Sequence, residues 1–162
     1  LSPPPANATS TLSAKYEKPY LMHGSIGPSA AMALAEGKKI TIWTHSQGVY
    51  VLRQSLAEAL SLEAENLKII HVPGAGCYGH NGADDAAVDA ALIALALAGK
   101  PILLKWTRED EHAWEPYGSS MVMDLNASLD DNGKVIKWSQ ETFSDTYGMR
   151  PRPEPDGAGP AR

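Results

Sequence analysis

A chain of 162 residues is long enough for one compact domain, and its 43% hydrophobic content supplies a sizeable core, which excludes wholesale disorder. The formal net charge of -5, from 14 Lys and Arg against 19 Asp and Glu, leaves no basic stripe to neutralise a phosphate backbone, so no nucleic acid is expected as partner. Cys77 is the one cysteine, which rules out a disulfide framework or a Cys-rich zinc or iron-sulfur site within the chain.

In chain order, residues 1–15 open on Leu1-Ser2-Pro3-Pro4-Pro5 and read as a linker-like segment with no signal peptide. Tyr16 to Gly24 and Ser29 to Ala35 are weak strand candidates. Lys39 to His45, rich in β-branched and aromatic residues, is a stronger one, and Val49 to Leu60 carries apolar residues at helical spacing. Leu67 to Val72 predicts a second strand of this kind, Pro73 to Gly82 a glycine-rich loop, and Asp84 to Ala98 a helix closed by Gly99 and Pro101. The apolar run within that helix is interrupted by Asp89 and falls short of the ~20 residues that span a bilayer, so no transmembrane segment is expected. Pro101 to Thr107 predicts a third strand. Alternation from Met123 to Leu129, followed by Asn132-Gly133, predicts an antiparallel hairpin with a type I′ turn. Residues 148–162, with Arg150-Pro151-Arg152-Pro153 and Asp156-Gly157-Ala158-Gly159, read as a linker-like tail, and both ends read as cuts within a longer protein. The fold expected is α+β, a mixed β-sheet with packed helices, strand-loop-helix units and a C-terminal hairpin, with the domain proper at residues 16–147.

Loops that follow parallel strands open on one edge of a sheet. Three should therefore converge: Thr44 to Gly48, Gly74 to Gly82, and Thr107 to Glu111. Gly74, Gly76 and Gly79 spell the dinucleotide fingerprint, but Asp84 and Asp85 at the start of the next helix would repel a pyrophosphate, and no acid stands where a ribose would be held. A P-loop is excluded because His80-Asn81-Gly82 stands in place of Lys-Ser or Lys-Thr. The density of glycine implies a backbone approached closely, and a ligand is the expected visitor. Asp84 and Asp85 are read as helix-capping residues. Among the histidines, His45 and His80 could line the convergent edge, whereas His23, His71 and His112 read as ordinary surface or core residues. Cys77 reads as a buried structural thiol and Trp106, Trp114, Tyr117 and Met121 as packing residues. No function is assigned to the two chance-level glycosylation patterns at Asn7 and Asn126.

Taken together, Thr44-His45-Ser46-Gln47, then Gly74-Ala75-Gly76-Cys77-Tyr78-Gly79, then Gly99-Lys100-Pro101-Ile102 with Arg108-Glu109-Asp110-Glu111, resemble the molybdopterin-binding subunits of the xanthine dehydrogenase and aldehyde oxidase family. The resemblance covers roughly Tyr16 to Tyr147. The stretch Cys77-Tyr78-Gly79-His80-Asn81-Gly82, with Trp114-Glu115-Pro116-Tyr117-Gly118 downstream, looks most like the large subunits of the nicotinate dehydrogenase and isoquinoline oxidoreductase type. It implies molybdopterin, in the cytosine dinucleotide form, whose own sulfurs hold molybdenum, so that no protein metal ligand is needed. It further implies that Gln47 donates to the apical molybdenum ligand and that Tyr78-Gly79 presents backbone N–H to another metal oxygen, with Gly76, Cys77 and His80 completing the cofactor-binding set. Neutral donors of this kind hold an oxygen without adding a titratable charge.

The implied reaction is hydroxylation of an N-heteroaromatic or aldehyde substrate with water-derived oxygen. Electrons would leave to an iron-sulfur subunit or other acceptor, and the remainder of the same large subunit would be a further partner. Gly82 stands where xanthine-binding members carry a glutamate, which argues against a purine, and Ile26-Gly27-Pro28 lacks the acid many relatives have there. The family's general-base glutamate, in a Gly-x-Gly-Glu motif, is absent from this chain, so no catalytic residue is assigned and the isolated chain is expected to be inactive. A non-catalytic αβ interaction module, or less favourably a nicotinamide-dinucleotide-binding domain, is the alternative.

Overall fold

The structure, a computed structural model, describes residues 3–145 and divides into two compact units, one of residues 22–117 and one of residues 3–21 with 118–145. The tail expected at 148–162 lies outside the described residues.

The first unit is built on a four-stranded mixed sheet. Its strands are β2 (Ala30–Glu36), β3 (Lys39–Thr44), β4 (Leu67–His71) and β5 (Ile102–Lys105), in the spatial order β4-β3-β2-β5. Pairing is parallel between β3 and β4 and antiparallel for β2 against both β3 and β5, so β3, β4 and β5 all run in one direction. Alternation decides the faces. Ala31, Ala33 and Ala35 on β2 and Ile40, Ile42 and Thr44 on β3 are buried on one side of the sheet.

Two helices cover that side. Helix α1 (Val49–Ala59) buries Leu52 and Leu56, one turn apart, and α2 (Ala83–Ala96) buries Ala83, Ala86, Ala87, Ala90, Ala91 and Ala94. Small side chains let the α2 backbone lie close on β2, β3 and β5, while α1 packs against β4. Each buried leucine contributes about 1.5–3 kcal/mol. No helix among the described residues is long and apolar enough to cross a membrane. A further helix, α3 (Arg108–Trp114), follows β5 where the sequence reading places only a loop; a capping box starts it, Thr107 Oγ1 accepting from Asp110 N–H and Asp110 accepting from Thr107 N–H.

The second unit is a three-stranded antiparallel sheet in the order β1-β6-β7, with β1 (Ser10–Lys18), β6 (Met121–Leu129) and β7 (Val135–Ser144). The expected hairpin is therefore present, in a sheet of its own. Two local expectations change. The first strand runs from Ser10 to Lys18 and not from Tyr16 to Gly24, so residues 10–15 of the linker-like stretch pair with β6. The hairpin turn is not type I′: Gly133 has φ +76, but Asn132 is not left-handed. Gly133 N–H donates to Asp130 O at 3.0 Å, and the Asp130 carboxylate accepts from the N–H of Asn132 and Lys134, favouring a type I turn with glycine in the left-handed position after it.

The fold class is thus α+β, with one mixed and one antiparallel sheet. For function, the important consequence is the common direction of β3, β4 and β5, which opens the three following loops on one edge. Because β2 runs the other way, the segment entering it, residues 22–29, reaches the same edge.

Candidate functional site

The edge is organised around two exposed arms. Gln47, just before α1, donates from Nε2 to Cys77 Sγ at 3.1 Å, joining the loop after β3 to the glycine-rich loop after β4. Around this contact lies a cavity of about 180 Å³ lined by His45, Gln47, His71, Gly74, Gly76, Cys77 and Asn81. His71, read from sequence as an ordinary residue, belongs to this lining because it is the last residue of β4. Cys77 is not buried as expected. Gly76 at φ +92 and Tyr78 at φ +47 bend the chain on either side of it, leaving the thiol half-buried at the cavity and the Tyr78 ring exposed. A left-handed tyrosine costs about 1–3 kcal/mol, which the surrounding loop must offset. Among the described residues, the N–H groups of Cys77, Tyr78 and Gly79 meet no protein acceptor.

His45 sits at the floor of the site. Ala30 N–H donates to its Nε2 at 3.2 Å, and Asn81 Nδ2 lies 3.2 Å from Nδ1 and donates to Gly76 O at 3.0 Å. A ring nitrogen that accepts a bond carries no proton, so the imidazole is neutral. Burial, the main cause, pushes its pKa below the ordinary value; the Glu111 charge opposes this, His71 adds to it and Asp84 opposes it.

Beneath the arms is a buried polar network. Asp84, in the first turn of α2, accepts from Ser46 Oγ and pairs with His80 Nε2 at 3.3 Å. His80 thus turns its ring inward, away from the cavity. The helix-capping role expected of Asp84 is not the one observed, because α2 has no side-chain cap at Gly82 and the Ala83 N–H donates to Asn81 Oδ1. The Asn81 Oδ1 takes an N–H of the helix N-terminus that a pyrophosphate would need.

The glycines have internal reasons. A Cβ on Gly74 would lie 2.5 Å from His45 Cγ, on Gly76 2.7 Å from Tyr78 Cε2, on Gly79 2.2 Å from His23 Cδ2, and on Gly82 2.2 Å from Trp106 Cζ3. The close visitors are the protein's own rings, and a ligand is not needed to explain these four positions. His23, also read as ordinary, packs on Gly79 and places Nδ1 2.7 Å from His80 O.

Two buried glutamates fix the outer loops. Glu111, with no exposed surface, accepts from Ser29 N–H at 2.6 Å, Ser29 Oγ at 3.0 Å and Gly82 N–H at 3.3 Å. Glu115 accepts from His23 N–H at 2.5 Å through Oε1, while its buried Oε2 meets no partner among the described residues. Sequence reasoning missed both; the only signal was a pair of acids four residues apart, one within α3 and one directly after it.

This edge, with its neutral donors and free loop N–H groups, sits in a chain whose residues 5–151 match the molybdopterin cofactor-binding domain family. The chain belongs to that family, the cofactor-binding domain of xanthine dehydrogenase/aldehyde oxidoreductase large subunits. It is similar to a subunit of the nicotinate dehydrogenase of Pseudomonas putida, 39% identical over 88% of this chain and 12% of that protein. It is also similar to the aldehyde oxidoreductase molybdenum-binding subunit PaoC of Escherichia coli K12, 29% identical over 85% of this chain and 19% of that protein.

The fold matches the aldehyde oxidoreductase of Desulfovibrio gigas with a TM-score of 0.70 at 21% identity, covering 86% of this chain and 15% of that one. It matches quinoline 2-oxidoreductase of Pseudomonas putida 86 with a TM-score of 0.71 at 14% identity, covering 85% and 18%. The chain spans less than a fifth of the length of each. The donors that meet at the edge, the Gln47 carboxamide and the N–H groups of Cys77, Tyr78 and Gly79, are neutral, and such donors fit a metal that is held by a cofactor's own ligands.

Proposed function

We propose that this chain forms one wall of the cofactor pocket in a molybdenum hydroxylase large subunit that oxidises an N-heteroaromatic or aldehyde substrate. The observation that carries the proposal is the meeting of Gln47 Nε2 and Cys77 Sγ at 3.1 Å beside free N–H groups of Tyr78 and Gly79. The bound cofactor, molybdopterin in its cytosine dinucleotide form, supplies the oxygen-transfer and electron-storing chemistry. The chain's residues hold and orient it. Gln47 would donate its carboxamide hydrogen and Tyr78-Gly79 their backbone N–H, while Gly76 and Cys77 shape the surface and His80 supports Gly79 from beneath.

Each donor is neutral, so the charge at the metal is left unchanged by binding. The substrate class is supported by the activities for which the relatives are named, nicotinate dehydrogenase and aldehyde oxidoreductase. Both relatives are subunits by name, which supports a partner subunit, and in this reading that partner is an iron-sulfur protein or other acceptor that drains the electrons. The general base belongs to the remainder of the large subunit, and the 162-residue chain by itself would not turn over.

The test is Gln47→Ala in the complete subunit. Removal of a donor of this kind typically lowers metal affinity or activity about 10–100-fold. The expected result is reduced molybdenum and pterin content or reduced turnover with unchanged circular dichroism. Full cofactor content together with full turnover in that variant would refute the assignment.

A further inference from the structure

We propose that Asp84 is a positioning residue that sets the gap between Gln47 and the Cys77–Gly79 loop. The inference rests on the reading that these two arms face the cofactor.

The carboxylate is only 5% exposed, and its two oxygens are divided between the arms. Oδ1 accepts from Ser46 Oγ, and Oδ2 faces His80 Nε2 at 3.3 Å. Ser46 precedes Gln47, and its hydroxyl oxygen also accepts from Gly48 N–H at 3.1 Å, so both neighbours of Gln47 are tied to one atom. Ser46 N–H is held by Thr44 Oγ1 at 3.2 Å, and Thr44 Oγ1 donates to Ala83 O at 3.2 Å, joining the same loop to the start of α2. On the other side, His80 follows Gly79 directly, and its carbonyl lies 2.7 Å from His23 Nδ1.

Burial of a carboxylate is costly unless its oxygens are bonded. A helix start can be served by an exposed acid or by Asn81, which already takes the Ala83 N–H. What an acid at 84 adds is a rigid two-sided bridge, whose geometry appears at the surface as the Gln47–Cys77 contact. Neither Ser46 nor Asp84 lines the cavity, so their influence on it must pass through the arms.

The experiment uses the complete subunit, produced in a host that makes no molybdopterin, so that cofactor cannot cover the thiol. The rate at which iodoacetamide alkylates Cys77 is followed by peptide mass spectrometry in Ser46→Ala, Asp84→Asn and the double variant. Parallel preparations from a molybdopterin-producing host are assayed for bound pterin.

Each single variant is expected to raise the Cys77 rate roughly fivefold, with the double variant no faster than the faster single one, as befits residues sharing one connection. Pterin content should fall in all three. Rates unchanged from the parent, or single effects that multiply in the double variant, would overturn the bridge. Faster alkylation with full pterin content would overturn its role toward the cofactor. Should Asp84→Asn fail to fold, Ser46→Ala alone still decides, because it removes one end of the bridge with the loss of a single oxygen. Failure of the cofactor reading itself would show separately, as undiminished pterin content and turnover in Gln47→Ala.

Discussion

The Cα of Gly82 faces the indole of Trp106 so closely that a Cβ at residue 82 would lie 2.2 Å from Cζ3. Trp106 is itself fixed, buried and donating from Nε1 to Asp89 at 3.1 Å, so it cannot yield as a flexible chain end would. Gly82→Ala is therefore expected to destabilise by about 1–3 kcal/mol through overpacking, read as a lower denaturant midpoint at constant m-value. Trp106→Leu in the same chain should recover part of that loss. The absence of a glutamate at this position is then steric as well as chemical, and Gly82→Glu should cost stability without conferring purine binding.

Glu111 should be among the least tolerant positions of the edge. Its carboxylate is the shared acceptor for Ser29 and Gly82, from two segments far apart in sequence. Glu111→Gln puts an NH2 where one of these donors points, and loss of charge-assisted bonds with a donor stranded costs about 2–3 kcal/mol. Hydrogen exchange should quicken at the Ser29 and Gly82 amides before it changes in β3. Equal protection at those amides would show that the clamp contributes nothing local.

Much of this could be read in the sequence, and the misses share a physical origin. Alternation in 39–44 and helical spacing in 49–59 are local patterns, and the convergence of the loops follows from β3, β4 and β5 running one way. Of the residues the sequence singles out for the site, Gln47, Gly76 and Cys77 line one cavity, whereas Tyr78, Gly79 and His80 are not in its lining. What local pattern cannot reveal is which side chain a glycine makes room for, because His23, His45 and Trp106 come from other segments. His80 turns inward onto Asp84, four residues on, while the other oxygen of Asp84 meets Ser46 across 38 residues, a long-range contact no local pattern announces. Helix α3 was legible in principle: Thr107-Arg108-Glu109-Asp110 is a capping box with Asp as its acid, obscured because the helix that follows is only seven residues long.

Acid should loosen the floor of the site before the rest of the fold. His45 has its pKa lowered from 6.5, chiefly by burial, so between that lowered value and 6.5 the unfolded chain binds more protons than the folded one. Stability then rises with pH across this window, and is lost as pH falls from 6.5 toward the folded value, levelling off below it. Replacement by His45→Gln, which keeps an acceptor but does not titrate, should flatten the fall in denaturant midpoint between about pH 7 and pH 5. A slope identical to that of the parent would assign the effect elsewhere.

Gly79 combines the two demands that make a glycine irreplaceable. Its φ of +134 is one L side chains rarely adopt, and a Cβ there would meet His23 Cδ2 at 2.2 Å. Gly79→Ala must therefore either strain the backbone, at about 1–3 kcal/mol, or push His23 off its bond with His80 O. Trimming the ring separates these causes. If crowding dominates, Gly79→Ala with His23→Ala should recover stability relative to Gly79→Ala; if backbone strain dominates, the second substitution only adds loss. The φ value favours strain, because removing His23 does nothing for the conformation of residue 79 and leaves His80 O without its partner. The expected outcome is thus a double variant no more stable than Gly79→Ala alone, measured by equilibrium unfolding.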